Sequence, residues 1–155
     1  MASSGRYGVS MGDVFPCGAY VVSEVEPVRD FEQSTAERFV QQLDKQTGLP
    51  LWAVSVLDAN PEARKSDKTI VVKIMDMVQP VPPETTGGTP FRPVEFEGLT
   101  VTPYLDDKAC SGPKGGERHR CRARVAYSLR ATGMHAPGKS NKWGATTAGV
   151  GKAAA

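Results

Sequence analysis

Glycine and proline cut this chain into short apolar runs, and that punctuation constrains the fold more than any other feature. Sixteen glycines and twelve prolines fall among 155 residues. Many of the runs between them are rich in Val, Ile and Thr and alternate with the two-residue period that sends side chains to opposite faces of a strand. GAYVVSEVEPV at 18–28 is one such run, and Pro27, which has no N–H for a ladder, marks its end or an edge. FVQQLDKQTGLPLWAVSVLD at 39–58 reads as a hairpin. Its arms are Phe39–Leu43 and Leu51–Asp58, and in the turn DKQTG Gly48 supplies a positive φ. In the second arm Trp52, Val54 and Val56 share a face. TIVVKIMDMV at 69–78 is a further strand. VEFEGLTVTPYL at 94–105 is another, interrupted at Gly98, where a bulge bends it. CRARVAYSLRAT at 121–132 is the last.

The connections are polar or Gly/Pro-rich. PEARKSD forms at most a short helical turn, QPVPPETTGGTPFRP is extended and polyproline-like, and DDKACSGPKGGERHR is a long basic loop. These features predict a mostly β protein: a small five-stranded OB-like barrel with long loops, over 13–134. A flexible arm at 1–12 precedes it, and a disordered basic tail at 135–155 follows. No apolar run approaches the roughly 18 residues of a membrane span, and MASSGRYGVSMGDVF is no secretory signal. The expectation is a soluble cytoplasmic protein without membrane contact. Three cysteines are an odd count for a disulfide framework, so Cys110 and Cys121 are expected as thiols even though their pairing would close a loop.

The net charge of +2 hides a strong polarity. Residues 1–107 hold nine Lys and Arg against sixteen Asp and Glu, whereas residues 108–155 hold ten against one. The basic end concentrates in ERHRCRARVAYSLRAT at 117–132. On a strand, Arg120, Arg122, Arg124 and Arg130 fall on one face, and Val125, Tyr127 and Leu129 on the other, which would face the core. Together with Arg118 in the preceding loop this makes a positive stripe suited to phosphates, because the guanidinium fork matches phosphate geometry. The competing reading is a solvated strand edge guarded by arginine against aggregation. Stacking platforms for bases are fewer: Phe91 beside Arg92 is the better exposed ring, whereas Trp52, next to Val54 and Val56, also reads as core.

Other chemistry is weakly supported. Cys110, Cys121, His119 and His135 lack the close ligand pairs of a zinc site, and two histidines outside any nucleophile–acid constellation do not suggest an enzyme. GPKGG and GVGK do not complete a phosphate-binding loop. No catalytic residue, metal or cofactor is expected.

Several blocks occur together in order: DVFPCGAYVVSEVEPVRDFEQST at 13–35, VQQLDKQTGLPLWAVSVLDANPEARK at 40–65, TPFRPVEFEGLTVTPY at 89–104 and AYSLRATGMHAPG at 126–138. Across residues 12–138 the chain resembles the actinomycete plasmid replication, integration and excision activators. The resemblance implies a cytoplasmic accessory protein of a plasmid or integrative element. Such a protein supports the element's replication, integration or excision. The chain departs from that pattern at KACSGPKGGERHRCRAR, 108–124, where the family has a shorter turn. This shifts the shared basic contacts toward Arg130, Arg92 and Lys73. Two functional readings follow. In one the protein binds nucleic acid, with single-stranded DNA favoured, through the basic strand and loop. In the other it is a protein-interaction module, not a DNA binder, that activates the element's initiator, recombinase or regulator.

Overall fold

The computed structural model describes residues 5–110 and 121–139. Their fold is mostly β. The strands are β1 (Tyr7–Gly8), β2 (Ala19–Val21), β3 (Glu26–Pro27), β4 (Leu51–Asp58), β5 (Thr69–Met75), β6 (Arg92–Glu97), β7 (Thr100–Asp106), β8 (Arg124–Ala131) and β9 (Gly133–His135). There are two short helical turns among the described residues: a 3-10 turn at Lys65–Asp67, within the segment expected to form one, and α1 (Met11–Val14), capped by Ser10, whose hydroxyl accepts from the Asp13 N–H while the Asp13 carboxylate accepts from the Ser10 backbone. The strands form one curled sheet in the order β1-β7-β8-β5-β4-β2-β6-β9, with β3 set along β4.

Nine strand segments replace the five main strands expected, and the reason is local. The run 18–28 supplies both β2 and β3, which are separated by residues 22–25. The run 94–105 breaks into β6 and β7 at Gly98, which sits at φ +57°. A Cβ there would lie 2.5 Å from Thr132 Oγ1, so only glycine fits. Opposite, Thr132 separates β8 from β9 and donates its N–H to the Glu97 carbonyl at 2.8 Å. The register is unbroken across this bend: Glu97 faces Gly133 on one side and Thr100 faces Arg130 on the other. A two-strand ribbon thus folds over and serves both ends of the sheet.

Three expected segments differ. The arm Phe39–Leu43 makes only isolated bridges, Leu43 to Pro50 and Gln41 to Arg29, because Ser34 and Gln41 side chains take up neighbouring backbone groups. The turn after it is as expected: Gly48, at φ +72°, donates to the Asp44 carbonyl at 2.7 Å. The last strand begins at Arg124, not at 121, and is followed by β9 and a turn in which Lys139 N–H reaches the Ala136 carbonyl. Residues expected in the loose arm include β1, which pairs Tyr7 with Val101. The rest of the expected tail, 140–155, lies outside the described residues.

The core lies on the concave face. Val54, Val56, Val72, Ile74, Val94 and Ala131 are essentially inaccessible, and Val21, Phe15, Phe96, Leu99 and Met134 close around them. Each fully buried Val, Leu or Ile contributes about 1.5–3 kcal/mol. No helix among the described residues is long and apolar enough to cross a membrane.

Candidate nucleic-acid interface

β8 is longer than the sheet that supports it. Only Leu129, Arg130 and Ala131 pair with β5, in parallel, facing Val72, Lys73 and Ile74. The remaining residues, 124–128, pair with β7 alone, so the two strands leave the body as a ribbon. The expected apolar face therefore splits. Leu129 and Ala131 are buried, but Val125 and Tyr127 are exposed, with Leu105 opposite Val125 on β7 and Tyr104 on the other face, opposite Ala126. The period-2 pattern puts Tyr127 and Val125 in the core, but they pair with β7 alone and β5 separates from β8 below Leu129, so nothing among the described residues covers them.

The arginine face divides in the same way. Arg118 and Arg120 lie outside the described residues. Arg122 is exposed, and its backbone N–H donates to Cys110 Sγ at 3.3 Å. Arg124 faces its register partner Asp106 at 3.4 Å and stays largely in solvent, a geometry that contributes little to stability. Arg130 is different: it is three-quarters buried and turned toward Asp44.

Asp44 opens the turn before Gly48 and its side chain is fully covered. Burial alone would push its carboxyl up. The Arg6 guanidinium, at 2.6 and 3.3 Å, and the Thr47 N–H and hydroxyl, both at 3.0 Å, outweigh burial and hold it well below the usual carboxylate range. Arg130 Nε stands 3.6 Å from the same carboxylate, too far for a hydrogen bond, and this buried N–H has no acceptor among the described residues. Lys73 sits beside Arg130 in the β5–β8 register. Its pKa falls below the ordinary lysine value, first through burial and then through the neighbouring Arg130. Arg130 is lowered by burial and by Arg6, with Asp44 acting the other way. Arg6 and Arg130 thus share one carboxylate, and Lys73 lies beside Arg130, leaving an excess of positive charge there.

Two grooves meet at Lys73. One, of about 530 Å³, runs along the ribbon and is lined by Val71, Lys73, Thr102, Tyr104, Ser128 and Arg130, with Ile70 and Tyr127 at its edge. The second lies under residues 28–48 and is lined by Phe31, Gln41, Gln42, Asp44 and Lys45 together with Lys73. Phe31 is the most exposed large apolar side chain in the protein's described part, and the Arg29 guanidinium lies 5.9 Å from its ring centroid. On the other side of the ribbon Tyr104 and Tyr127 also border a hollow carrying Arg64 and Arg124.

The other expected contacts do not join this site. Trp52 packs against the core and its indole N–H donates to the Asp76 carbonyl at 2.9 Å, so it presents no free ring to a base. Arg92 donates to the Pro83 carbonyl at 3.4 Å on the β2–β6 side, where Phe91 meets Tyr20 edge-on at 6.5 Å. Lys73 and Arg130 are brought together with Tyr104, Tyr127 and Phe31 as exposed rings nearby, whereas Phe91, exposed as expected beside Arg92, stands on the β2–β6 side.

No family model, curated protein or solved structure matches this chain. The geometry of the grooves therefore carries the functional argument.

Proposed function

We propose that the protein binds single-stranded nucleic acid, DNA in the first instance, in the paired grooves that meet at Lys73. Single strands are held where a positively charged groove follows the backbone and exposed aromatic rings stack on bases. One observation carries the reading: Lys73 and Arg130 stand side by side, with Asp44 already shared by Arg6 and Arg130, in a groove walled by the exposed ring of Tyr104 and the hydroxyl residues Thr102 and Ser128. A phosphate oxygen there would meet the Lys73 ammonium and the part of the Arg130 side chain that remains exposed.

The fold, read as an OB-like barrel, supports the same surface. Taking β2 as the first strand, β4 as the second, β5 as the third, β6–β7 as the fourth and β8–β9 as the fifth, the first pairs with the second, the second with the third, the third in parallel with the fifth, the fifth with the fourth, and the fourth returns to the first through β6 and β2. OB-folds bind oligonucleotides on the second and third strands, between the loop joining strands one and two and the loop joining four and five. In this chain those are β4–β5, residues 28–50 and the β7–β8 ribbon. The resemblance of residues 12–138 to plasmid replication, integration and excision activators gives such binding a setting. Exposed single strand arises when a mobile element replicates or excises.

The exposed Leu105 and Val125 on the opposite face of the ribbon favour a second reading, contact with a protein partner such as the element's initiator or recombinase. Fluorescence anisotropy of a labelled single-stranded oligonucleotide and its duplex, titrated across a salt series, separates the two. Binding preferring the single strand, with a log–log salt slope of about −0.7 per phosphate neutralised, is expected. No binding to either at low salt would leave the protein-partner reading.

A further inference from the structure

Beyond the groove, the tip of the ribbon carries a second chemistry. Cys110 and Cys121 flank the end of β7 and the start of β8, and their sulfurs are 3.9 Å apart with no bond between them. A disulfide needs about 2.05 Å, so the two sulfurs must approach by about 1.9 Å. Nothing in the ladder resists this. The last register pair is Asp106 with Arg124, and both cysteines lie outside it. The two sulfurs are already oriented toward one another, and the Arg122 N–H aimed at Cys110 Sγ at 3.3 Å fixes one of them in place. Cys17 has no second sulfur near it among the described residues.

We propose that Cys110 and Cys121 form a redox-modification site, a dithiol that a small disulfide such as oxidised glutathione closes into an intramolecular bond. The exposed Cys121 sulfur attacks the S–S bond of glutathione disulfide, giving a mixed disulfide and releasing one glutathione thiolate. Cys110 then attacks the Cys121 sulfur, the mixed disulfide breaks, and the second glutathione leaves. The two protein thiol protons end on the two glutathione molecules. The dithiol loses two electrons and the oxidant gains two. Along the chain the pair is flanked by Lys108 and Arg122, while Arg124 is taken up by Asp106. The bond staples the tip of the β7–β8 ribbon, whatever that ribbon binds, and a reductant reopens it.

The test uses the full-length folded protein incubated with glutathione disulfide, read by intact mass and peptide mapping. Wild type is expected to lose two hydrogens in mass, to yield a peptide cross-linked between Cys110 and Cys121, and to return to its starting mass with dithiothreitol. Cys110→Ser and Cys121→Ser are each expected to retain a single glutathione on the remaining ribbon cysteine. Cys17→Ser is expected to behave as wild type at the ribbon. Persistent glutathione on Cys110 or Cys121 of wild type without the cross-link overturns the proposal. So does a reaction confined to Cys17, or a disulfide that forms only between molecules.

Discussion

Lys73 and Arg130 face one another across the parallel β5–β8 pair, two cations held in register with the Asp44 carboxylate 3.6 Å from Arg130. This arrangement works against the fold. A lysine whose folded pKa lies below its ordinary value contributes a destabilisation that is fully present at neutral pH and relieved only as pH rises past that lowered value. An unfavourable charge kept at a groove is what a binding surface requires and a purely structural strand does not.

Replacing Lys73 by Met should therefore separate stability from function. The variant is expected to unfold about 0.5–1 kcal/mol later than wild type in a urea titration, within the usual yield of removing an unfavourable group. At the same time it should lose affinity for single-stranded DNA, with the salt slope reduced by about 0.7. A variant that is less stable and binds normally would show that Lys73 belongs to the structural network alone.

The two ribbon tyrosines should behave as contact residues. Tyr104 and Tyr127 are half or more exposed, so truncation to Ala leaves little packing to lose. Each substitution is expected to weaken single-strand binding by about 1–3 kcal/mol, with a thermal midpoint close to that of wild type. Trp52→Phe provides the contrast. It removes the hydrogen bond to Asp76 and should cost about 1 kcal/mol of stability, leaving affinity unchanged.

Asp44 should behave in the opposite way to Lys73. Its carboxyl is lowered in the fold, so the stability it contributes is fully present above the unfolded value of about 3.9 and is lost as pH falls below it toward the folded one. Asp44→Asn leaves Arg6 and Arg130 without a counter-charge and should cost about 3–5 kcal/mol at neutral pH. Its stability should also fall less steeply than wild type's between pH 5 and pH 2, read by urea midpoints across that range.

The bend at Gly98 can be tested by a single methyl group. Gly98→Ala places a Cβ against Thr132 Oγ1 and strains a φ of +57°, so a loss of about 1–3 kcal/mol is expected. Adding Thr132→Ala removes the clash but not the strain, and should recover only part of that loss.

Much of the sheet was legible because alternation and turn residues are local signals. Gly98 announced the break between β6 and β7, Gly48 announced its turn, and the shared face of Trp52, Val54 and Val56 is the core face. The site was less legible because it depends on which partner a residue meets. Tyr127 alternates with Val125 and Leu129 as a core residue does, yet the β5–β8 pairing ends at Leu129 and leaves a groove between Ile70 and Tyr127. Arg130 sits in the same stripe as Arg124, but the turn carrying Asp44 folds over one and leaves the other in solvent. Arg6 and Asp44 are 38 residues apart, and no pattern in the chain joins them.

The most direct measurement is a backbone-amide NMR titration of the isotope-labelled protein with a short oligothymidylate. Shift changes are predicted to centre on Lys73, Thr102, Tyr104, Ser128 and Arg130 and to extend toward Phe31 and Gln42, with Trp52 and the Phe91–Tyr20 side quiet. Changes confined to the Phe91–Tyr20 side, or none at low salt, would contradict the account.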